Sequence, residues 1–298
     1  MIEQSLGDHL LVQDSLFPFL AEYGGEPAIF NQEAPDDQDD NWNSGSQYGR
    51  IVFAVDNQGD PERKVSSTLV VDFSAEESQE PPELVEPLIR GLIDGYFFNT
   101  AESGPMYAQW TNSEYFTEPT KRVCGVTMVF SLLAFPVQTT GVSPDPIQLM
   151  NSWTKTLYPD SVVIGHDTNK PSAWKPTNEM PAFYWRTVQT DPANWIPDTY
   201  NCSWFVASIR GHVMAPDADV VSTICRNIEV VLTYSKRLIF DDNSPLMVDR
   251  NIRVANGSDP LRQGQITIAG TYGVLTPRRV APILQNVFVQ EADNGKEN

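Results

Sequence analysis

The chain has 298 residues, 41 % of them hydrophobic and 20 % charged, which is enough to build real cores in two ordinary globular domains. Twenty basic residues against 39 acidic ones give a net charge of −19, a field that repels nucleic-acid phosphates and argues against a sequence-reading nucleic-acid binder. No run approaches the roughly 18 apolar residues of a membrane span, and the start of the chain lacks the basic and apolar regions of a signal peptide, so the expectation is a protein without a membrane partner.

Residues 2–22 read as an amphipathic helix, with Ile2, Leu6, Leu10, Phe17 and Leu20 on one stripe and Gly24–Gly25 as its stop. A short strand over 27–30 leads into residues 33–46, a polar, turn-rich surface loop carrying Asp36, Asp37, Asp39, Asp40 and Trp42. Strands over 50–56 and 67–75 follow, joined by a hairpin signal at 57–61. After a polar break at 76–82, Leu84, Val85, Leu88, Ile89, Leu92 and Ile93 form a helical stripe. Residues 105–110 and 123–135 complete this first unit, and Pro136 ends it.

Residues 137–146 are rich in Pro, Thr and Gly and read as a linker. A helix over 146–157 follows, then a short strand at 162–164 and a long loop at 165–181 that Pro interrupts. The strand 183–188 is followed by an apolar, β-branched and aromatic strand from 203. Pro216 breaks that strand, and Asp217 supplies an N-cap acceptor for a helix whose stripe is Val220, Val221, Ile224, Ile228, Val231 and Leu232. Strands at 245–250 and 263–275 close the second unit. Residues 281–290 read as an edge strand or an arm on a neighbour, and the last eight are polar.

The same order of elements therefore occurs twice. Trp42, the strand 51–55 and Asp60–Pro61 match Trp174, the strand 183–188 and Asp191–Pro192, with an offset that drifts from roughly 131 to roughly 141 along the chain. The expected fold class is α+β: two similar domains, each a small, mainly antiparallel sheet with helices packed on one face. The domains span 1–136 and 147–277, with a C-terminal arm and tail at 278–298.

Motifs for chemistry are sparse. His9, His166 and His212 fall on a helix, a loop and a strand without ligand spacing, and there is no nucleophile elbow, Walker loop or dinucleotide fingerprint. Counted as an EF-hand from Asp37, the sixth position is Trp42 where the turn needs Gly, and the twelfth is Tyr48 where a bidentate Glu is needed. Cys124, Cys202 and Cys225 form no Cys-x-x-Cys pair and read as free thiols in or beside apolar elements. The expectation is no enzyme, no metal and no cofactor. Seven tryptophans and ten tyrosines, several of them in loops or short strands (Trp42, Trp174 and Trp195 among them), point instead to an assembling protein.

On this pattern the chain resembles the tail terminator, or tail completion, proteins of long-tailed bacteriophages. The resemblance is carried by Pro27-Ala-Ile-Phe30, Ala34-Pro-Asp-Asp37 and Gly49-Arg-Ile-Val-Phe53 in the first unit. In the second it rests on Ala215-Pro-Asp-Ala-Asp219, Phe240-Asp-Asp-Asn-Ser-Pro245 and Asp259-Pro-Leu-Arg-Gln-Gly-Gln-Ile-Thr-Ile-Ala-Gly-Thr-Tyr-Gly273. Members of that family generally carry one such domain per chain, so two here put the stoichiometry in question.

The resemblance implies a ring at the phage neck, of three or six chains, that caps the tail tube and joins it to a head-completion or connector protein. Genomic DNA would pass through its acidic lumen without specific binding. Its partners would be copies of itself, the tail tube protein and the connector, and its location the virion, assembled in host cytoplasm. Asp36, Asp37, Asp39, Asp40, Trp42, Trp174, Trp195, Asp259, Arg262 and Phe288 are the candidate subunit or partner contacts. The alternatives are a head–tail adaptor or other neck or tube component, and a non-viral small binding module.

Overall fold

The computed structural model describes residues 2–42, 47–60, 64–79, 81–100, 104–138, 143–167, 170–198, 201–255 and 260–275. Asp259, Phe288 and the arm at 281–290 lie outside the described residues. The protein is α+β, with five α-helices among the described residues and two large sheets.

The first stretch runs α1 (Ile2–Leu11), β1 (Glu22–Tyr23), β2 (Glu26–Pro27), β3 (Ile29–Asn31), β4 (Arg50–Asp60), β5 (Lys64–Glu76), α2 (Pro82–Ile93), β6 (Phe97–Thr100), β7 (Gly104–Glu118) and β8 (Val123–Ala134). The second runs α3 (Pro146–Leu157), β9 (Val162–Val163), β10 (Ala173–Trp174), β11 (Ala182–Pro192), β12 (Cys202–Met214), α4 (Ala218–Ser235), β13 (Arg237–Ile239), β14 (Pro245–Val248), β15 (Arg253–Val254), α5 (Pro260–Gln263) and β16 (Ile266–Leu275).

Sheet one has the order β10-β6-β7-β8-β5-β4-β3; sheet two has β13-β14-β16-β12-β11-β9, with β15 also on β16. Apart from β10 and β15, the two orders follow one path. A short strand (β3 or β9) pairs parallel to a long one (β4 or β11), which turns antiparallel into the next (β5 or β12). A helix then crosses, and three antiparallel steps return the chain to pair with that same strand.

Each sheet buries one face under its helices. In sheet one, Ile2, Leu6 and Leu10 of α1 and Val85, Ile89 and Ile93 of α2 close over Phe53, Leu69, Val71, Phe73, Met128 and Phe130. These helical residues recur at three- and four-residue steps, so each helix presents a single apolar stripe to the pleated face. In sheet two, Ile147 and Met150 of α3 and Ile224, Ile228 and Leu232 of α4 cover Phe183, Trp185, Ile209, Ile266 and Ile268. Asp217 caps α4 by accepting from the Asp219 amide at 2.8 Å, as its position before the helix predicts.

Two expectations are corrected. The opening helix stops at Leu11, because the chain turns at Leu10 to Gln13 and again at Gln13 to Leu16 before a short 3₁₀ turn containing Pro18. Gly24 and Gly25 do not end a helix. Both have left-handed φ, 61° and 92°, and form the tight turn of the β1–β2 hairpin, where a side chain would be strained. The second correction is in the predicted loop 165–181, where Ala173 and Trp174 form β10 and add to β6 of the other sheet.

Trp185 ties sheet two to α3, its indole N–H donating to Thr154 Oγ1 at 2.8 Å. Directly across the strand pair sits Gly211, and a Cβ there would meet the Trp185 ring at 2.3 Å. Gly211→Ala should therefore destabilise the protein by about 1–3 kcal/mol through overpacking, read as a lower denaturant midpoint. An unchanged midpoint would show that the indole can move aside.

His9 fastens α1 to the end of α2. Its Nε2–H donates to Leu92 O at 2.9 Å, and its ring lies against Tyr96 and Phe98. Burial lowers its pKa below the ordinary 6.5, with the Leu92 carbonyl partly opposing. The unfolded chain thus takes up the proton more readily, and stability that is complete above about pH 6.5 should decline as the pH falls below it. His9→Gln should flatten that decline in melting curves taken across the range. A slope identical to the wild type would remove His9 from the account.

Candidate assembly surfaces

The two stretches meet along a third apolar cluster. Phe97, Leu133 and Phe135, with Tyr107 beside them, face Val162, Ile164, Trp174, Ala182, Tyr184, Met214 and Leu261. Phe97, Tyr107 and Leu133 are one cross-strand row on the outer face of sheet one, away from its helices. The contact therefore covers a sheet face that the helices leave open.

At its centre the Phe97 and Trp174 rings stack with centroids 4.4 Å apart and planes 11° from parallel. Strand pairing adds to the stack, and Asn99 N donates to Ser172 O at 2.8 Å. Lys175 Nζ donates to Asp94 O at 2.7 Å and lies 5.3 Å from the Tyr96 ring centroid. The Tyr107 phenol is pushed up to about 12 by burial, with the Asp94 charge adding to the effect. Tyr184 Oη donates to Pro136 O at 2.8 Å.

Three polar side chains are buried beside this cluster: Arg186, His212 and Gln265. Arg186 Nε donates to His212 Nε2 at 3.3 Å, and its Nη2 donates to Arg262 O at 3.3 Å. For His212 Nε2 to accept, the imidazole proton must sit on Nδ1. Gln265 clamps Val213, accepting from its N–H at 3.1 Å and donating to its carbonyl at 2.7 Å. These contacts fix how β12 lies against the α5–β16 turn.

The acidic loop is held by its own chain. Asp37 accepts from Arg50 at 2.8 Å and from the Tyr48 hydroxyl at 3.2 Å. Tyr48 is raised by its burial and by the nearby Asp37 charge. Asp39 accepts from the Asn41 amide at 3.0 Å and from Tyr23 Oη at 3.1 Å; the Asn41 amide is the main cause of its lowered pKa. Asp36 accepts from the Gln38 amide, and Asp36 and Asp40 face outward. Among the described residues no group of three His, Cys, Asp or Glu side chains is placed to hold a metal ion.

The candidate contact residues thus divide. Trp42 is buried against Tyr23 and Phe30, with its N–H on Asp36 O, and Trp174 is buried in the seam, so both pack within the chain rather than standing out as anchors. Trp195 is 69 % exposed, at the turn between β11 and β12. Arg262 is exposed on α5, and its carbonyl accepts from Arg186.

A surface the sequence reading passed over lies on sheet two. Leu238, Leu246 and Val248 point into the core, so their neighbours Arg237, Ile239 and Met247 line the outer face. Ile239 and Met247 are 48 % and 47 % exposed, and Leu275 at the end of β16 is 70 % exposed. Arg253 and Arg210 share that face through Thr267. The signal was available: the runs 237–240 and 245–248 do not alternate cleanly with polar residues, so both faces are partly apolar. Beside this edge, a groove of about 340 Å³ runs between α3 and β13, lined by Leu149, Trp153, Leu238, Ile239 and Phe240.

Among the described residues the Trp174 indole N–H is buried without a hydrogen-bond partner, so the residue's contribution comes from stacking and burial. Trp174→Ala should cost about 3–5 kcal/mol in denaturant unfolding. Trp174→Phe keeps a stacked ring and removes the orphan N–H, so it should lose far less. Equal losses for both would show that shape alone, not the ring stack, holds β10 on β6. Compared with known proteins, the chain matches no protein-family model and no curated protein.

Proposed function

We propose that this chain is a structural virion protein of a long-tailed bacteriophage, a subunit of a ring at the neck that ends the tail tube and joins it to the head-side connector. The observation that carries the reading is the repetition of one sheet path in two stretches of a single chain, joined through an apolar seam. We read the two stretches as tandem copies of a tail-terminator-like domain, 1–136 and 147–277, linked by 137–146. A chain that already places one copy on the next needs only to continue the same contact to close a ring.

Other features support this reading. Exposed apolar side chains cluster on the outer face and edge of sheet two, where copies of the chain or a tail tube can be accommodated. The net charge of −19 suits a lumen that DNA must cross without sticking. The buried Arg186, His212 and Gln265 hydrogen-bond to backbone and to one another, which suits a structural role. Among the described residues no helix is long and apolar enough to cross a membrane.

The test is the mass of the purified protein by light scattering after size exclusion, together with its binding to isolated tail tubes. A closed species of three or six chains that caps tubes is the expected result. A chain that stays monomeric and ignores tube ends would sink the proposal.

A further inference from the structure

We infer that the seam inside the chain is also the pattern for the contact between chains. The outer face of β13–β14–β16 in one copy receives the β3–β4–β5 side and the acidic loop of the next, head to tail. The inference rests on the ring reading above and names the surfaces that would build the ring.

The argument follows from the matched sheet paths. Within the chain, the outer face of β6–β7–β8 is covered by the second stretch, which supplies the β9–β11–β12 side and, from the loop between β9 and β11, strand β10. The second stretch owns the corresponding outer face, β13–β14–β16. There the row Phe97, Tyr107 and Leu133 is replaced by Arg237, Met247 and Thr271. That row carries exposed apolar side chains at Met247 and, beside Arg237, at Ile239.

The first stretch in turn owns the surface that would cover it. Ala182 with Met214 and Tyr184 with His212, the outward pairs at the seam, correspond to Arg50 with Ser74 and Val52 with Asp72. The loop between β3 and β4 stands where the β10-bearing loop stands in the second stretch. In the first stretch its tryptophan is taken up by Tyr23 of the β1–β2 hairpin, and among the described residues the second stretch has no corresponding hairpin. What the loop turns outward is therefore charge, through Asp36 and Asp40.

The receiving face carries basic side chains, bordered by the exposed Asp241, Asp242 and Asp249 that follow β13 and β14. Arg237 and Arg253 are exposed on it and Arg210 is half-buried beside them, an arginine group in a chain that is otherwise strongly acidic. Aspartates brought against these arginines, with Ile239 and Met247 desolvated between them, give a contact with a polar rim around an apolar centre. Such a contact is heterologous: each copy uses one surface to give and a different one to receive.

The decisive experiment uses two full-length variants blocked on opposite sides. Ile239→Asp with Met247→Asp spoils the receiving face, and Asp36→Arg with Asp40→Arg spoils the loop. All four side chains are exposed, so circular dichroism and melting should match the wild type. Each variant alone should run as a monomer in light scattering where the wild type assembles. Mixed in equal amounts they should form a heterodimer and nothing larger, because only one sound contact can be made. If the wild type assembles and the variants assemble equally well, or the mixture stays monomeric, the assigned surfaces are wrong while the ring reading stands. A wild type that never assembles, alone or on tail tubes, overturns both.

Discussion

The stack of Trp174 on Phe97 is the contact on which the arrangement of the two sheets depends. A sheet with helices on one face leaves the other face and its edges to be dealt with, and sheet one has a row of large side chains, Phe97, Tyr107 and Leu133, on its open side. Burying each such side chain contributes about 1.5–3 kcal/mol. The second stretch supplies that burial with a two-residue strand that also satisfies the β6 edge through backbone pairing. So short a strand has little stability of its own; it holds because the ring behind it is held.

The polar groups around the seam act on position more than on strength. Arg186, His212 and Gln265 are buried where aliphatic side chains would serve the core as well. Their hydrogen bonds, however, accept one geometry: Gln265 spans both backbone groups of Val213, and Arg186 reaches His212 and the Arg262 carbonyl together. Gly264 belongs to the same arrangement. Its φ is 84°, and a side chain there would press on Gly211 O and the His212 ring, each 3.1 Å from the added carbon. These groups stiffen the second stretch's side of the seam; across it, where a face-to-face contact of apolar side chains could slide, Tyr184 Oη on Pro136 O and Lys175 Nζ on Asp94 O resist sliding.

Much of the fold was legible because burial is periodic. The stripes of α3 and α4, Val85, Ile89 and Ile93 of α2, and the alternation along β5, β12 and β16 follow directly from which positions touch the core, whereas Leu84 and Leu88 of the expected α2 stripe are exposed. Other parts carried no such signal. β7 runs on to Glu118 through eight residues that are mostly polar and exposed, held by register with β8 rather than by a core. β10 is too short to have a period. Trp42 and Trp174 were matched from sequence and expected as contact residues, yet both are buried within the chain and their partners differ. The inserted β1–β2 hairpin captures Trp42, and a distant strand captures Trp174. The outer face of sheet two was overlooked because two-sided strands resemble buried ones.

Charge places a further demand on any assembly of this chain. Copies carrying −19 each repel at long range, so association must be decided by local complementarity over less than about a Debye length, roughly 8–10 Å in physiological salt. A symmetric contact through the acidic loop would set Asp36 and Asp40 of one copy against the same residues of another, and would be unfavourable. The sign separation within the chain, aspartates outward on the first stretch and arginines on the outer face of the second, removes that conflict only if unlike ends meet. The same separation leaves the remaining surface strongly acidic. A ring built this way would neutralise its charge at the joints between subunits and keep it along the path of the DNA.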